Sequence, residues 1–435
     1  MPQFVDTPEA DILRRAYAAA VDAALPQQVL PPALSDIEEH TPAVVLGAGK
    51  AAAAMAATFS AHWRSDSRGL VVTRYAHGLN EGETAGDIEV IEAGHPSPDG
   101  ASVAAGERLL ALAASLRADE RLFFLISGGG SALAAAPLGE IGFERKREAA
   151  NFLIRAGADI REINCVRKHL SGLKGGRLAA AAHPAPVVTY AISDVPGDEL
   201  ADIASGPTMP DRTTQADALA VLEKFAYPGL ATLRPFLENP DYESPKPGSD
   251  GFSRDDARLL ATAATALEAA RAFLQQAGYK VIVLGDDLDD EAVPLGREHA
   301  RLASQTVREG EPVAILSGGE TRVVLSSEGG RGGRNLEYLS GLALELAGKA
   351  GIYALAADTD GIDGNGDHAG AMVYPGILEV GAGRDFPLEA ALARHDSYAF
   401  FDACGALLRT GPTRTNVNDF RVILCQPTQA TTQPS

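Results

Sequence analysis

The sequence predicts an α/β fold in two lobes, and three observations predict it. Short apolar runs repeatedly end in glycine-rich turns and then enter segments with apolar residues at helical spacing. Glycine is frequent, at 45 residues, and clusters behind those runs. A stretch at 237–251, with three prolines, mixed charge and little hydrophobicity, divides the chain into parts of similar size. A chain of 435 residues, at about 150 per domain, agrees with two or three domains.

The elements follow in order. Strands are expected at 43–46, 122–126, 187–192, 312–316 and 353–357, each leading into a glycine or aspartate turn. Helices are expected at 11–24, 51–62, 101–116 and 255–277. The boundaries are then 1–240 for an N-terminal α/β domain and 250–425 for a C-terminal one. The tail at 426–435, mostly Gln, Thr and Pro, is expected to be disordered. Leu-Ile-Ser-Gly-Gly at 125–129 echoes Ile-Leu-Ser-Gly-Gly at 315–319, too short a match to establish a duplication.

Composition excludes several function classes. The formal charge is −20, from 38 basic and 58 acidic residues, which repels nucleic acid and anionic lipid. A small anionic substrate remains open if basic residues gather in one cleft. Cys165, Cys404 and Cys425 are few, odd in number and far apart, so neither a disulfide framework nor a zinc site is indicated, and a reducing cytoplasm is the expected compartment. The first residues carry acids and no apolar core, unlike a signal peptide. The longest uncharged stretch, 122–139, is broken by the Ser-Gly-Gly-Gly-Ser run, which makes it strand, loop and helix start rather than a membrane span.

Five groups of residues can carry chemistry. Gly47-Ala48-Gly49-Lys50 links a strand to a helix start, where backbone amides favour anions and Lys50 adds a full charge. It is not a Walker A loop, because Val44 and Ala51 stand where glycine and a hydroxyl are needed. Ser127, Gly128, Gly129, Gly130 and Ser131 allow close approach of backbone to a ligand, with hydroxyls on either side. The basic run 167–177 is the densest in an acidic chain, and Lys174, followed by two glycines, is its preferred anion-binding member. Asp194 and Asp198, Glu320, and Asp358 with Asp360, Asp363 and Asp367 follow three strands, where carboxylates suit Mg²⁺. An EF-hand is not indicated, since Ala369 or Ala371 occupies its twelfth position. Arg331 and Arg334 lie among glycines at 329–337, and Arg334 begins an apolar helix that fixes it better. His95 is read as a loop histidine, and no nucleophile elbow or HExxH spacing occurs.

Taken as an ordered set, these motifs resemble the glycerate 2-kinase family. Gly-Ala-Gly-Lys at 47–50, Gly-His-Pro-x-Pro-Asp at 94–99, Leu-Ile-Ser-Gly-Gly-Gly-Ser-Ala at 125–132, and the segments 164–176 and 193–211 are similar to its N-terminal domain. Ser-Gly-Gly-Glu-Thr at 317–321, Gly-Gly-Arg-Asn-x-Glu at 332–337, Asp-Thr-Asp-Gly-x-Asp-Gly at 358–364 and the run 410–419 resemble its MOFRL domain. Leu336 stands where that family usually carries Gln.

The resemblance implies two Rossmann-like α/β domains with the active site in the cleft between them; a monomer or homodimer is the expected state. It implies phosphorylation of D-glycerate at the 2-hydroxyl, with ATP and Mg²⁺, to give 2-phosphoglycerate. The family's essential lysine maps onto Lys50 and its essential arginine onto Arg334. On this expectation Lys50, Arg334 and Asp194 are catalytic. Gly47, Gly49, the 127–131 loop, Lys174, Gly318, Gly319 and Asn335 bind substrate or nucleotide. Asp194, Glu320 and Asp358 hold metal. The alternative is an NAD(P)H-dependent hydroxypyruvate reductase, supported by the Gly-x-Gly turn. Against it, the third fingerprint position is Ala52 and no ribose-binding acid follows at 68–73.

Overall fold

The computed structural model describes residues 7–37, 41–307, 311–324, 330–364 and 366–427. The expected disorder of the tail therefore falls, from residue 428 on, outside the described residues, as does Gly329. Two compact units result: Pro26–Leu260, and Met1–Leu25 together with Ala261–Ser435. Among the described residues no helix is long and apolar enough to cross a membrane.

In the unit Pro26–Leu260, six strands form one sheet. They are β1 (Ala43–Ala48), β2 (Ser67–Arg74), β3 (Asp87–Ala93), β4 (Arg121–Ile126), β5 (Val187–Ile192) and β6 (Asp256–Ala261), in the order β3-β2-β1-β4-β5-β6. This is the order of a doubly wound sheet. The pairs from β3 through β5 are parallel. Strands β1 and β5 are buried along their whole length, which is why they read as unbroken apolar runs rather than alternating ones. Phe59 stacks on Trp63 and Phe123 on Tyr190, and Phe123 meets Phe59 tilted and Trp63 edge-on. Helices Ala52–His62 and Gly100–Ala114 follow the turns as expected.

The second unit carries β7 (Lys280–Val283), β8 (Val313–Gly319), β9 (Ile352–Asp358), β10 (Gly370–Val373), β11 (Leu407–Leu408) and β12 (Asp419–Cys425), in the order β11-β10-β9-β12-β8-β7. The α/β class holds, but this sheet is mixed. Strands β8 and β9 flank β12, which pairs antiparallel with both. The chain between β8 and β9 contains helix Arg334–Leu346, as in a parallel crossover, and the C-terminal strand fills the slot between them.

Three sequence readings differ from the structure. The segment 255–277 is not one helix: 256–261 is the edge strand β6, and the helix is Ala263–Gln276. Thr262 caps it through a reciprocal bond with Thr265, a start signal inside the expected helix. The stretch 237–251 lies within the first unit rather than between units. Ser244 there is buried, the Pro245 carbonyl accepts from the Asp211 amide at 2.8 Å, and Glu243 pairs with Lys246 at 2.8 Å. The chain instead crosses between units at 25/26 and 260/261.

The first helix, Pro8–Ala23, belongs with the second unit. Leu13, Ala16 and Ala20 are fully buried, Tyr17 donates to the Asp358 carbonyl at 2.8 Å, and Thr415 donates to the Ala24 carbonyl at 2.6 Å. Leu13→Ala should therefore destabilise the unit formed by 1–25 and 261–435 by about 2–4 kcal/mol in chemical denaturation. An unchanged midpoint would mean that this helix is not part of that core.

Candidate active site

In the first unit two glycine turns are joined at the carboxyl ends of β1 and β4. The Lys50 amide donates to the Gly128 carbonyl at 2.9 Å, and the Ala51 amide donates to Ser127 Oγ at 2.9 Å. Ser127 is fully buried. A Cβ at Gly49, whose φ is 142°, would lie 2.2 Å from that hydroxyl, and one at Gly47 would lie 2.5 Å from the Leu125 carbonyl. Gly47, Gly49 and Ser127 thus close one turn onto the other. The two amides just before the Ala52–His62 helix, those of Lys50 and Ala51, are engaged in this join. Gly130 packs on Ala48 and Ala204. Gly129 differs. At φ 81°, its Cβ would lie 2.9 Å from the His95 ring and 3.5 Å from Lys50 Cγ.

Beside this join lies a cavity of about 420 Å³, with Gly129 and Ser131 in its wall. Lys146, Arg147, Arg167 and Lys174 also line it, and no carboxylate does among the described residues. Lys174 is buried and donates to the Ser131 carbonyl at 2.7 Å and to the Ser131 hydroxyl. Lys146 is only 8 % exposed, and its Nζ has no hydrogen-bond partner among the described residues. Burial, and then the nearby Arg167 and Arg177, push the Lys146 amine down to about 7. Burial first, then Lys146 and Arg167, lower Lys174 well below the usual lysine range. His95, read from the sequence as a loop residue, also lines this cavity.

In the second unit Arg334 opens helix Arg334–Leu346 and binds three carboxylates. Its Nε donates to Asp419 at 2.8 Å, one Nη to Glu320 at 2.7 Å and the other to Asp358 at 2.8 Å. Burial opposes its charge, but Asp419, Asp358 and Glu320 outweigh that and raise the guanidinium further. The three bonds leave one N–H on each terminal nitrogen. Asn335 donates to Asp419 at 2.7 Å, and its amide donates to Asp363 at 3.3 Å. Asp363 caps this helix and is pushed up to about 7, by burial first and by Asp419 next. Leu336 is fully buried in the core of the unit. A Cβ at Gly319, at φ 104°, would lie 2.2 Å from the Leu288 amide, and one at Gly318 would lie 3.3 Å from Asp286, so both glycines serve packing.

The sequence-predicted residues therefore divide between two clusters. Lys50, Gly129, Ser131 and Lys174 gather in the first unit. Arg334, Asn335, Glu320 and Asp358 gather in the second. Asp194 is half-buried beyond the end of β5 and does not line the cavity. Sequence reading missed Lys146, which sits in a run of charges at 144–148. Its signal was the spacing to Ala149 and Leu153, the other buried residues of helix Phe143–Arg155.

The fit to Mg²⁺ is poor for a resident ion. One oxygen each of Glu320 and Asp358 holds Arg334, and among the described residues no group of three or more His, Cys, Asp or Glu is arranged to ligate a metal.

Comparison with known proteins matches residues 12–234 to a family model described as a domain of unknown function, DUF4147, and residues 313–419 to the MOFRL family. A protein of Thermotoga maritima named D-glycerate 2-kinase is 38% identical over 381 residues, covering 86% of this chain and 89% of its own. A protein of Agrobacterium vitis named "Putative hydroxypyruvate reductase" is 46% identical over 427 residues, covering 96% of this chain and 95% of its own. The crystal structure of a glycerate kinase from Thermotoga maritima matches with a TM-score of 0.83 at 34% identity, covering 96% of this chain and all of that one.

Two predictions follow from the charges. An unpartnered buried ammonium is a cost to the empty fold. Lys146 has its folded pKa near 7, below the ordinary 10.5, so the unfolded chain binds more protons between those values and stability rises with pH across that window. Lys146→Met should stabilise the ligand-free protein by about 3 kcal/mol at pH 6.5, with the difference shrinking toward pH 10 in urea titrations. Arg334→Ala removes the guanidinium that Glu320, Asp358 and Asp419 share, with Asp419 keeping Arg421, and should destabilise the second unit by about 3–5 kcal/mol, read in the same titrations.

Proposed function

The chain belongs to the glycerate kinase family, and on that premise we propose that it phosphorylates D-glycerate at the 2-hydroxyl, giving 2-phosphoglycerate and ADP. The observation that carries this reading is the acid-free, lysine- and arginine-lined cavity beside Lys50, in a chain of net charge −20. Such a cavity suits a polyanionic reactant. Relatives named D-glycerate 2-kinase or glycerate 2-kinase, at 38%, 35% and 31% identity, support the position of transfer.

The reaction is direct. The 2-hydroxyl oxygen of glycerate attacks the γ-phosphorus of ATP, the bond to the β–γ bridging oxygen breaks, and the hydroxyl proton passes to a carboxylate, with Asp194 or Glu320 as the acceptor. Lys50 and Arg334 neutralise charge that develops on the transferring group. The 127–131 loop and Lys174 hold the anionic ends of substrate or nucleotide. Mg²⁺ enters with ATP, as part of the substrate complex.

A second reading, reduction of hydroxypyruvate with NAD(P)H, is favoured by the names of two Agrobacterium vitis relatives at 46% and 45% identity. The geometry offers it little. A dinucleotide needs an open turn between β1 and the helix Ala52–His62 and an acid at the end of β2. Here Ser127 fills the space above Gly49, the Lys50 and Ala51 amides bond to residues 128 and 127, and β2 ends on Arg74.

Phosphorus NMR of a reaction with ATP, Mg²⁺ and D-glycerate should show 2-phosphoglycerate, and no NADH should be oxidised with hydroxypyruvate. Appearance of 3-phosphoglycerate would overturn the position of transfer, and NADH oxidation without phosphoryl transfer would overturn the kinase. Lys50→Ala should lower kcat by about 100-fold or more with the protein still folded. Near-normal turnover would remove Lys50 from the chemistry.

A further inference from the structure

We propose that the cavity in the unit Pro26–Leu260 is the nucleotide site, with Lys146, Arg167 and Lys174 holding the phosphate chain and Phe143 and Ile154 facing the adenine. The proposal rests on the kinase reading and assigns which of the two reactants this cavity takes.

Charge decides first. Glycerate brings one carboxylate, whereas ATP brings a chain of three phosphates. The cavity is lined by four cationic side chains and no acid among the described residues, so glycerate would leave most of them uncompensated. Lys146 is the sharpest case. Its ammonium is buried with no hydrogen-bond acceptor, which fits a group whose partner is the ligand. Arg147 is less informative, since it lies at the rim and pairs with Glu144.

Volume decides next. About 420 Å³ falls in the range of cavities that enclose drug-sized ligands, far beyond the seven non-hydrogen atoms of glycerate.

The third observation is the apolar wall. Phe143, Ala150, Ile154 and Pro98 line the cavity together with the cations. Ile154 is 52% exposed, one of the few large apolar side chains so exposed among the described residues. A triose acid has no apolar face to place there, whereas a purine has two. Helix Phe143–Arg155 thus presents both kinds of contact at helical spacing: Phe143, Arg147, Ala150 and Ile154 along one stripe, with Lys146 beside it. Ser131, held by Lys174, and Gly129, against Lys50, lie in the same wall. A phosphate chain bound by Lys174 therefore runs toward Lys50, where the reading above places the transferred group.

The test is calorimetric titration of the full chain with ADP and, separately, with D-glycerate, alongside steady-state kinetics for both reactants. Lys146→Met and Arg167→Met should each weaken ADP binding at least 10-fold and raise the KM for ATP by a similar factor. The KM for glycerate should stay within twofold. Phe143→Ala should weaken ADP but leave inorganic tripolyphosphate unchanged, which separates the base contact from the phosphate contact. A raised KM for glycerate with ADP binding intact would overturn the proposal and give the cavity to the acid. Unchanged binding of both in all three variants would overturn it as well. Circular dichroism of each variant checks the fold. Binding of ADP does not depend on turnover, so wild-type protein that binds ADP here without phosphorylating glycerate would fail the kinase reading and not this site.

Discussion

The site in the first unit depends on one join between two turns. Ser127 Oγ accepts the Ala51 amide, the Gly128 carbonyl accepts the Lys50 amide, and Gly49 leaves room for both. These bonds sit at the ends of adjacent parallel strands, β1 and β4, whose register is fixed along six residue pairs. Two buried backbone donors are satisfied at once, which makes the arrangement stiff and its loss costly. Everything functional on this side hangs from it. Lys50 emerges from the first turn, Gly129 and Ser131 from the second, and Lys174 reaches back to hold Ser131.

This join also changes what the glycine motifs mean. Gly-x-Gly behind a strand suggests a dinucleotide, because glycine lets pyrophosphate approach the helix amides. Here the space above Gly49 is filled by a serine of the neighbouring strand's turn. The glycines at 47, 49 and 130 allow chain to pack on chain, and Gly129 is the one in the 127–131 loop whose bareness opens onto the cavity. The same residue type carries two distinct jobs a few positions apart, and only three-dimensional neighbours separate them.

Legibility followed the range of the interactions involved. Buried parallel strands announce themselves as apolar runs, so 187–192 was read to the residue and 122–126 to within one. Lys50 and Lys174 were legible because a charge beside glycines is locally unusual. Arg334 was legible as an anchored arginine, but not its three carboxylate partners as a set. Glu320, Asp358 and Asp419 lie 14, 24 and 85 positions away. Lys146 was hidden in Glu144-Arg145-Lys146-Arg147-Glu148, where composition says solvated face and only its phase with Ala149 and Leu153 says otherwise. The stretch 237–251 misled for the opposite reason. Its prolines fit a linker, yet Glu243 and Ser244 bind His169, 74 and 75 positions away, a contact that no local pattern encodes.

The two clusters place opposite demands on stability. Around Arg334 the charges pair with one another: one guanidinium bonds three carboxylates, and Arg421 bonds Asp419 at 2.8 Å. Removing the arginine therefore damages the fold as well as any chemistry, and a loss of turnover in Arg334→Ala says little by itself. The cavity beside Lys50 is built the other way. Among the described residues the Lys146 ammonium has no hydrogen-bond partner and that of Lys174 bonds only the oxygens of Ser131, so like charges gather in a place that favours none of them. A fold under selection for stability alone would place an apolar side chain at 146, because its neighbours on the buried stripe are Ala149 and Leu153. Retaining a lysine there makes sense when an anion completes it, and removing that lysine should strengthen the empty protein while weakening its hold on the ligand. Opposite movement of stability and affinity in one variant is a signature that a merely structural lysine cannot produce.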